Sequence, residues 1–254
     1  MHIKMMFLPV AIILISCQNT NSQFSGQATS SQRPEKVNDI PLPDGFERVG
    51  YSDSSFASWL RHLLMKPDNT VYLYNKLPKA NQDAQFAVLD ISVGDKNLQQ
   101  CADAVMRLRA EYLFQKKDYR SILFTDNEGT SYAFTAPFEK DHLSKYLEKV
   151  FGMCGSASLS KQLKKVSITA NIKPGDVFIR GGFPGHAATV MDVAINKKGT
   201  KIFLLSQSYM PAQDIHILKN PANENGSPWY ELDTNATLLV TPEYTFKTSE
   251  LMAW

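Results

Sequence analysis

The apolar period changes once along this 254-residue chain, and that change limits the folds open to it. Leu98, Cys101, Ala102, Val105, Leu108 and Tyr112 recur every three or four residues, while Asp103, Arg107, Glu111 and Gln115 fall off that stripe. Such spacing predicts an amphipathic helix that follows Gly94-Asp95. Residues 56–64 have helical spacing behind Ser54 and Ser55 as caps, residues 140–151 read as a helix stopped by Gly152, and residues 158–163 as a short one. Residues 71–74 and 86–91 alternate as strands do. From Asp176 onward the chain turns to strands, at 176–179, 187–193 and 201–205, with a turn at 196–199 between the last two. Helices first and strands later predict an α+β fold, with N-terminal helices packed on a C-terminal antiparallel sheet.

The start of the chain is of a different kind. Residues 5–15 are an apolar run behind a single Lys4. As a helix the run would rise about 16 Å, half the thickness of a bilayer's hydrocarbon, so it reads as the core of an export signal. It ends Leu14-Ile15-Ser16-Cys17, which resembles the lipobox of bacterial lipoproteins. That resemblance implies loss of residues 1–16, a membrane-lipid anchor on Cys17 and, with Gln18 following, an outer-membrane position facing the periplasm. Of residues 18–40, 13 of 23 are Ser, Thr, Asn or Gln, too polar to offset the entropy of ordering. Residues 17–40 are therefore expected to be a lipidated, flexible tether, and residues 41–254 a single globular domain.

Charge and composition narrow the function classes. A formal net charge of +2 gives no reason to expect nucleic acid as a partner. With 43% apolar and 20% charged residues the chain is neither disordered nor a polytopic membrane protein. Cys17, Cys101 and Cys154 include no CxxC pair, so no structural zinc site is expected. Gly181-Gly182 precedes a strand and no GK[ST] follows, so it is not a phosphate loop; no metal and no cofactor is implied.

What remains is a cysteine and a histidine. His186 follows the glycine-rich stretch 181–185 and opens a strand, where loops commonly present catalytic side chains. Cys101 lies near the start of the strongest helix, and Gln207 would lie on the next antiparallel strand, within reach of His186. A cysteine hydrolase needs those three roles: a nucleophile, a base and a polar group that orients the base. Backbone N–H groups near Cys101, with the Gln100 side chain, would hold an oxyanion, and Gly185 and Tyr209 would border the substrate. Tyr209, Met210, Trp229 and Tyr230 would floor a groove, and Arg107 and Arg109 with Glu111 and Asp103 would line a carboxylate cleft or form a solvated face. Cys101 carries two other readings: a buried apolar residue on the helix stripe, six residues past Asp95, or a disulfide partner of Cys154. Beyond the export signal, which holds His2, the other histidines, His62, His142 and His216, read as unremarkable.

Two resemblances bear on these residues. Pro174-Gly175-Asp176-Val177-Phe178-Ile179, followed by Gly185-His186-Ala187-Ala188-Thr189-Val190, resembles the corresponding segment of NlpC-type and CHAP-type cell-wall hydrolases. This implies a papain-like fold acting on peptidoglycan peptides or amides, with His186 as base, Gln207 as its orienter and Cys101 as nucleophile. Where those enzymes carry Asp-Cys-Ser/Gly, this chain has Gln100-Cys101-Ala102. Residues 99–113, 175–187 and 207–214 resemble the Bacteroidetes lipoprotein family of domain of unknown function 4846, which brings no established activity. The two functional expectations are a cysteine amidase or endopeptidase acting on peptidoglycan and a non-catalytic envelope module that binds wall fragments or a protein.

Overall fold

The computed structural model describes residues 33–166, 172–231 and 235–254, besides His2. The export signal, Cys17 and most of the tether lie outside the described residues. Four α-helices are described: α1 (Phe56–Arg61), α2 (Cys101–Gln115), α3 (Lys140–Met153) and α4 (Ser156–Gln162). The strands of the first half are β1 (Phe46–Arg48), β2 (Gln85–Val88), β3 (Leu123–Thr125), β4 (Ser131–Ala133) and β5 (Lys164–Lys165). Those of the second half are β6 (Val177–Arg180), β7 (His186–Asn196), β8 (Lys201–Gln207), β9 (His216–Leu218) and β10 (Tyr230–Glu231), followed by β11 (Leu238–Val240), β12 (Thr245–Lys247) and β13 (Leu251–Ala253).

The main sheet runs β2-β9-β8-β7-β6-β13-β5, with β1 paired to the far end of β7 and β10 to β8. Its pairings are antiparallel, so the α+β expectation holds. The sheet is not wholly C-terminal, since β1 and β2 come from the first ninety residues. β7 and β8 form its spine, joined by the expected turn. There Asn196 N–H donates to the Thr200 carbonyl at 3.0 Å, and Gly199 takes a φ of +85° that a side chain would strain.

Both faces of this spine are covered, so its strands are buried nearly end to end. On one face Met191, Ala194, Ile202 and Leu204 meet Leu60 of α1 and Ala104 and Leu108 of α2. Val177, Ile179 and Ala187 extend that face towards Val105, Leu143 and Leu159 of the helices. On the other face Phe178, Ala188, Val190, Phe203 and Leu205 pack with Phe246 and Leu251. The two-residue alternation of strands thus sends every second side chain to each core.

Several elements depart from the sequence-based expectation. Residues 71–74 make only isolated bridges, Tyr72 to Pro78 and Leu73 to Gln213. Gly152 lies inside α3, and Cys154 caps that helix's end. The stretch after Asp95 is a loop tied elsewhere: Asn97 Oδ1 accepts from Ala212 N–H at 2.8 Å, and the Gln99 carbonyl accepts from Ser208 Oγ at 3.0 Å. The cap of α2 is instead made by Asp103, whose Oδ2 accepts the Gln100 N–H at 2.9 Å. Cys101 is therefore the first residue of α2 and not in its second turn.

The expected tether ends earlier than the composition suggested, because the compact body begins at Arg33. Val37 and Ile40 are fully buried, Val37 N–H donates to the Leu63 carbonyl at 3.2 Å, and Met65 N–H donates to the Glu35 carbonyl at 2.8 Å. Burying a Val or Ile side chain contributes about 1.5–3 kcal/mol. A chain beginning at Pro41 should therefore be about 3–6 kcal/mol less stable than one beginning at Arg33. Urea unfolding of the two truncations checks this, and equal midpoints would show residues 33–40 to be dispensable.

Candidate functional site

The end of β7 gathers the residues of interest. Strand pairing sets Thr189 opposite Ser206, which brings the start of β7 beside the end of β8. His186 Nε2 lies 2.8 Å from Gln207 Oε1, so the structure joins the two residues as the sequence suggested. The imidazole is sealed by aromatic rings: Tyr209 at 4.6 Å, Tyr244 at 4.7 Å and Phe246 at 5.7 Å between centroids. Only 1% of His186 is exposed, and this desolvation pushes its pKa down to about 4, with the Gln207 hydrogen bond opposing. The ring is a neutral imidazole at pH 7.

Cys101 approaches the start of β7 from the side that carries α2, near Ala187. The residue is only partly buried, at the N-terminus of α2, but its thiol is largely desolvated, with the amides of Ala102, Ala187 and Cys101 itself near it. Burial, reinforced by the nearby Asp103, nevertheless pushes the thiol up to about 11. Asp103 is itself pushed up to about 8 by burial, and its Oδ1 has no hydrogen-bond partner. Among the described residues no hydrogen bond joins the Cys101 sulfur to the His186 ring. His186 leans towards Phe246, while Cys101 lies by the amide of Ala187 from the face carrying α2. The Tyr209 ring packs on His186, and burial, with smaller contributions from Glu243 and Cys101, pushes the pKa of its hydroxyl up. With the thiol up at about 11 and the imidazole down at about 4, the two form no standing thiolate–imidazolium pair, so any attack must be assisted by proton transfer as it occurs.

The other expected site residues are distributed unevenly. Gln100 is half-buried at the N-cap of α2, next to Cys101. Gly185 is required by packing, since a side chain there would collide with Ser156 Oγ and the carbonyls of Arg180 and Gly182. Met210 is exposed near Tyr209, but Trp229 and Tyr230 are each 2% exposed and belong to the core, bonded to the Pro41 and Lys219 carbonyls. Cys101 and Cys154 are both free thiols, so the disulfide is not formed. Arg107 pairs with Glu111 at 2.8 Å, and Arg109 stacks among Phe56, Tyr112 and Trp254; with Asp103 buried, the four form no common cleft. A cavity of about 520 Å³ between α2, α3 and residues 92–99 is lined by neither Cys101 nor His186. Among the described residues no cluster of His, Cys, Asp or Glu could hold a metal ion.

Sequence reasoning missed the polar groups behind Gln207. Its Nε2 donates to Glu243 Oε2 at 2.8 Å and lies 3.5 Å from His216 Nε2. Glu243 also takes Lys79 Nζ at 2.6 Å and Asn81 Nδ2 at 3.1 Å. His216 was readable as an anomaly, a histidine between Ile215 and Ile217 in a fully buried strand. Glu243, in a turn between Pro242 and Tyr244, carried no such signal.

No curated protein and no solved structure matches the chain. The family described as domain of unknown function (4846) matches residues 37–140 and 134–253, nearly the whole body around Cys101, His186 and Gln207. The chain belongs to that family.

Proposed function

We propose that this chain is a papain-like cysteine hydrolase of the cell envelope, an amidase or endopeptidase acting on peptidoglycan. The observation that carries the reading is Cys101 as the first residue of a helix laid against the strand that His186 opens, with His186 bonded to Gln207. The resemblance of residues 174–190 to cell-wall hydrolases supplies the substrate class. The lipobox-like Leu14-Ile15-Ser16-Cys17 supplies the location, with lipid on Cys17 holding the body on the periplasmic side of the outer membrane.

In the reaction the Cys101 sulfur attacks an amide carbonyl carbon as its proton passes to His186, and the new S–C bond leaves an oxyanion. The amides at the start of α2, with the Gln100 side chain, stabilise that charge. On collapse the C–N bond breaks and His186 returns its proton to the departing amine. Water then cleaves the thioester, giving one proton to His186, which restores the Cys101 thiol. Gln207 holds the imidazole throughout.

A second reading is favoured by the pKa directions: a thiol up at about 11 and an imidazole down at about 4 suit a binding module built on the same scaffold, for wall fragments or an envelope protein. Incubating the soluble body with purified sacculi and muropeptides separates the two. The hydrolase releases new peptide or amine products, resolved by mass spectrometry. Sedimentation with sacculi without any product would favour the binding module.

A further inference from the structure

We propose that Glu243 and His216 are positioning residues that fix which nitrogen of His186 carries the proton. The carboxylate of Glu243 accepts from the Lys79 ammonium and the Asn81 amide, so it offers Gln207 only an acceptor. His216 Nδ1 lies 2.9 Å from the Asp214 carbonyl, which can only accept, so Nδ1 carries the hydrogen and Nε2 is an acceptor. The Gln207 NH₂ group therefore faces two acceptors, Glu243 Oε2 at 2.8 Å and His216 Nε2 at 3.5 Å. Its other end, Oε1, is left to face His186.

An amide oxygen only accepts, so His186 Nε2, 2.8 Å away, must be the protonated nitrogen. The lone pair is then on Nδ1, which has no hydrogen-bond partner among the described residues. If Gln207 flipped, its NH₂ would face His186, its oxygen would face the Glu243 carboxylate, and the basic nitrogen of the ring would be consumed. His186, Gln207 and His216 lie on the adjacent strands β7, β8 and β9 of one sheet, Gln207 and His216 as direct cross-strand partners, and Glu243 reaches them from the bend between β11 and β12. Glu243 is 14% exposed and Lys79 8%, so water offers the amide little alternative.

The catalytic meaning of this lock rests on the hydrolase reading, but the lock itself does not. Long-range ¹H–¹⁵N spectra of the ¹⁵N-histidine-labelled body at pH 7 read it directly. The wild-type chain should show His186 as the Nε2–H tautomer and His216 as the Nδ1–H tautomer. Glu243→Gln, which can offer Gln207 a donor, should turn His186 into a mixture of tautomers. Glu243→Asp, which keeps an acceptor, should restore the wild-type pattern. If the hydrolase reading also stands, Glu243→Gln should lower kcat about 10- to 100-fold with little change in KM, as losses of supporting hydrogen bonds do. A protein that cleaves nothing yet shows the Glu243-dependent tautomer supports the lock and removes only the hydrolase. An Nδ1–H tautomer at His186 in the wild-type chain, or an unchanged tautomer in a folded Glu243→Gln variant, overturns it.

Discussion

Replacing Cys101 by alanine should lower hydrolysis of muropeptides by about 10⁴-fold or more while leaving the protein folded. The expectation follows from what the sulfur does and what it does not do. On the proposed hydrolase reading it forms the covalent bond to the carbonyl carbon. As a structural residue it contributes little, since it is only partly buried at the very start of α2. The helix keeps its cap, because the bond from Gln100 N–H to Asp103 involves no atom of Cys101. Product release by mass spectrometry, with circular dichroism as the check on folding, measures both halves. Undiminished activity in a folded Cys101→Ala protein would remove Cys101 from the mechanism.

The largest loss of stability should come from a residue far from that chemistry. Asp192 is fully buried at an irregularity of β7, where the pairing with β8 shifts register. Its Oδ2 takes Arg48 Nε at 2.7 Å and its Oδ1 takes Arg61 Nε at 2.5 Å, with the Val193 N–H also on Oδ1 at 2.8 Å. The two guanidiniums come from β1 and α1, so one carboxylate fastens both to the spine of the sheet. Arg48 also donates to the Ile40 carbonyl at 2.7 Å, which ties in the segment that precedes β1. Asp192→Ala would leave two largely buried cations facing each other, at a cost of about 3–5 kcal/mol. Urea unfolding measures it, and a loss under about 1 kcal/mol would mean that water or other acceptors replace the carboxylate.

The fold was legible where local pattern decided it. The stripe from Ala102 to Tyr112 reflects one side of a helix buried against the sheet, and the mostly apolar runs 187–193 and 201–205 reflect strands covered on both faces; they became α2, β7 and β8. The start of α2 was misplaced because Asp95 looks like a cap. Only the long-range bonds of Asn97 and Gln99 to residues 208–213 show that the chain there is committed elsewhere. Residues 33–40 looked like tether because their composition is polar. Two apolar side chains, Val37 and Ile40, suffice to dock them.

The site was half legible for a similar reason. His186 and Gln207 meet because a tight turn at 196–199 sets the register of two neighbouring strands, and both facts are local. Glu243 and Lys79 meet across 164 positions of sequence, and no pattern in either segment announces the pairing. The pKa directions were likewise out of reach, since desolvation of Cys101 and His186 comes from the rings and helices packed around them.

The central claim is that His186 serves Cys101 as a base. Mass spectrometry can follow alkylation of Cys101 by iodoacetamide between pH 6 and 8, in the wild-type body and in His186→Ala, with Cys154 as the internal reference. The account predicts that Cys101 reacts about 10²-fold more slowly without His186, within the range that a positioned base contributes, while Cys154 is unaffected. Equal rates at Cys101 in the two proteins would contradict it.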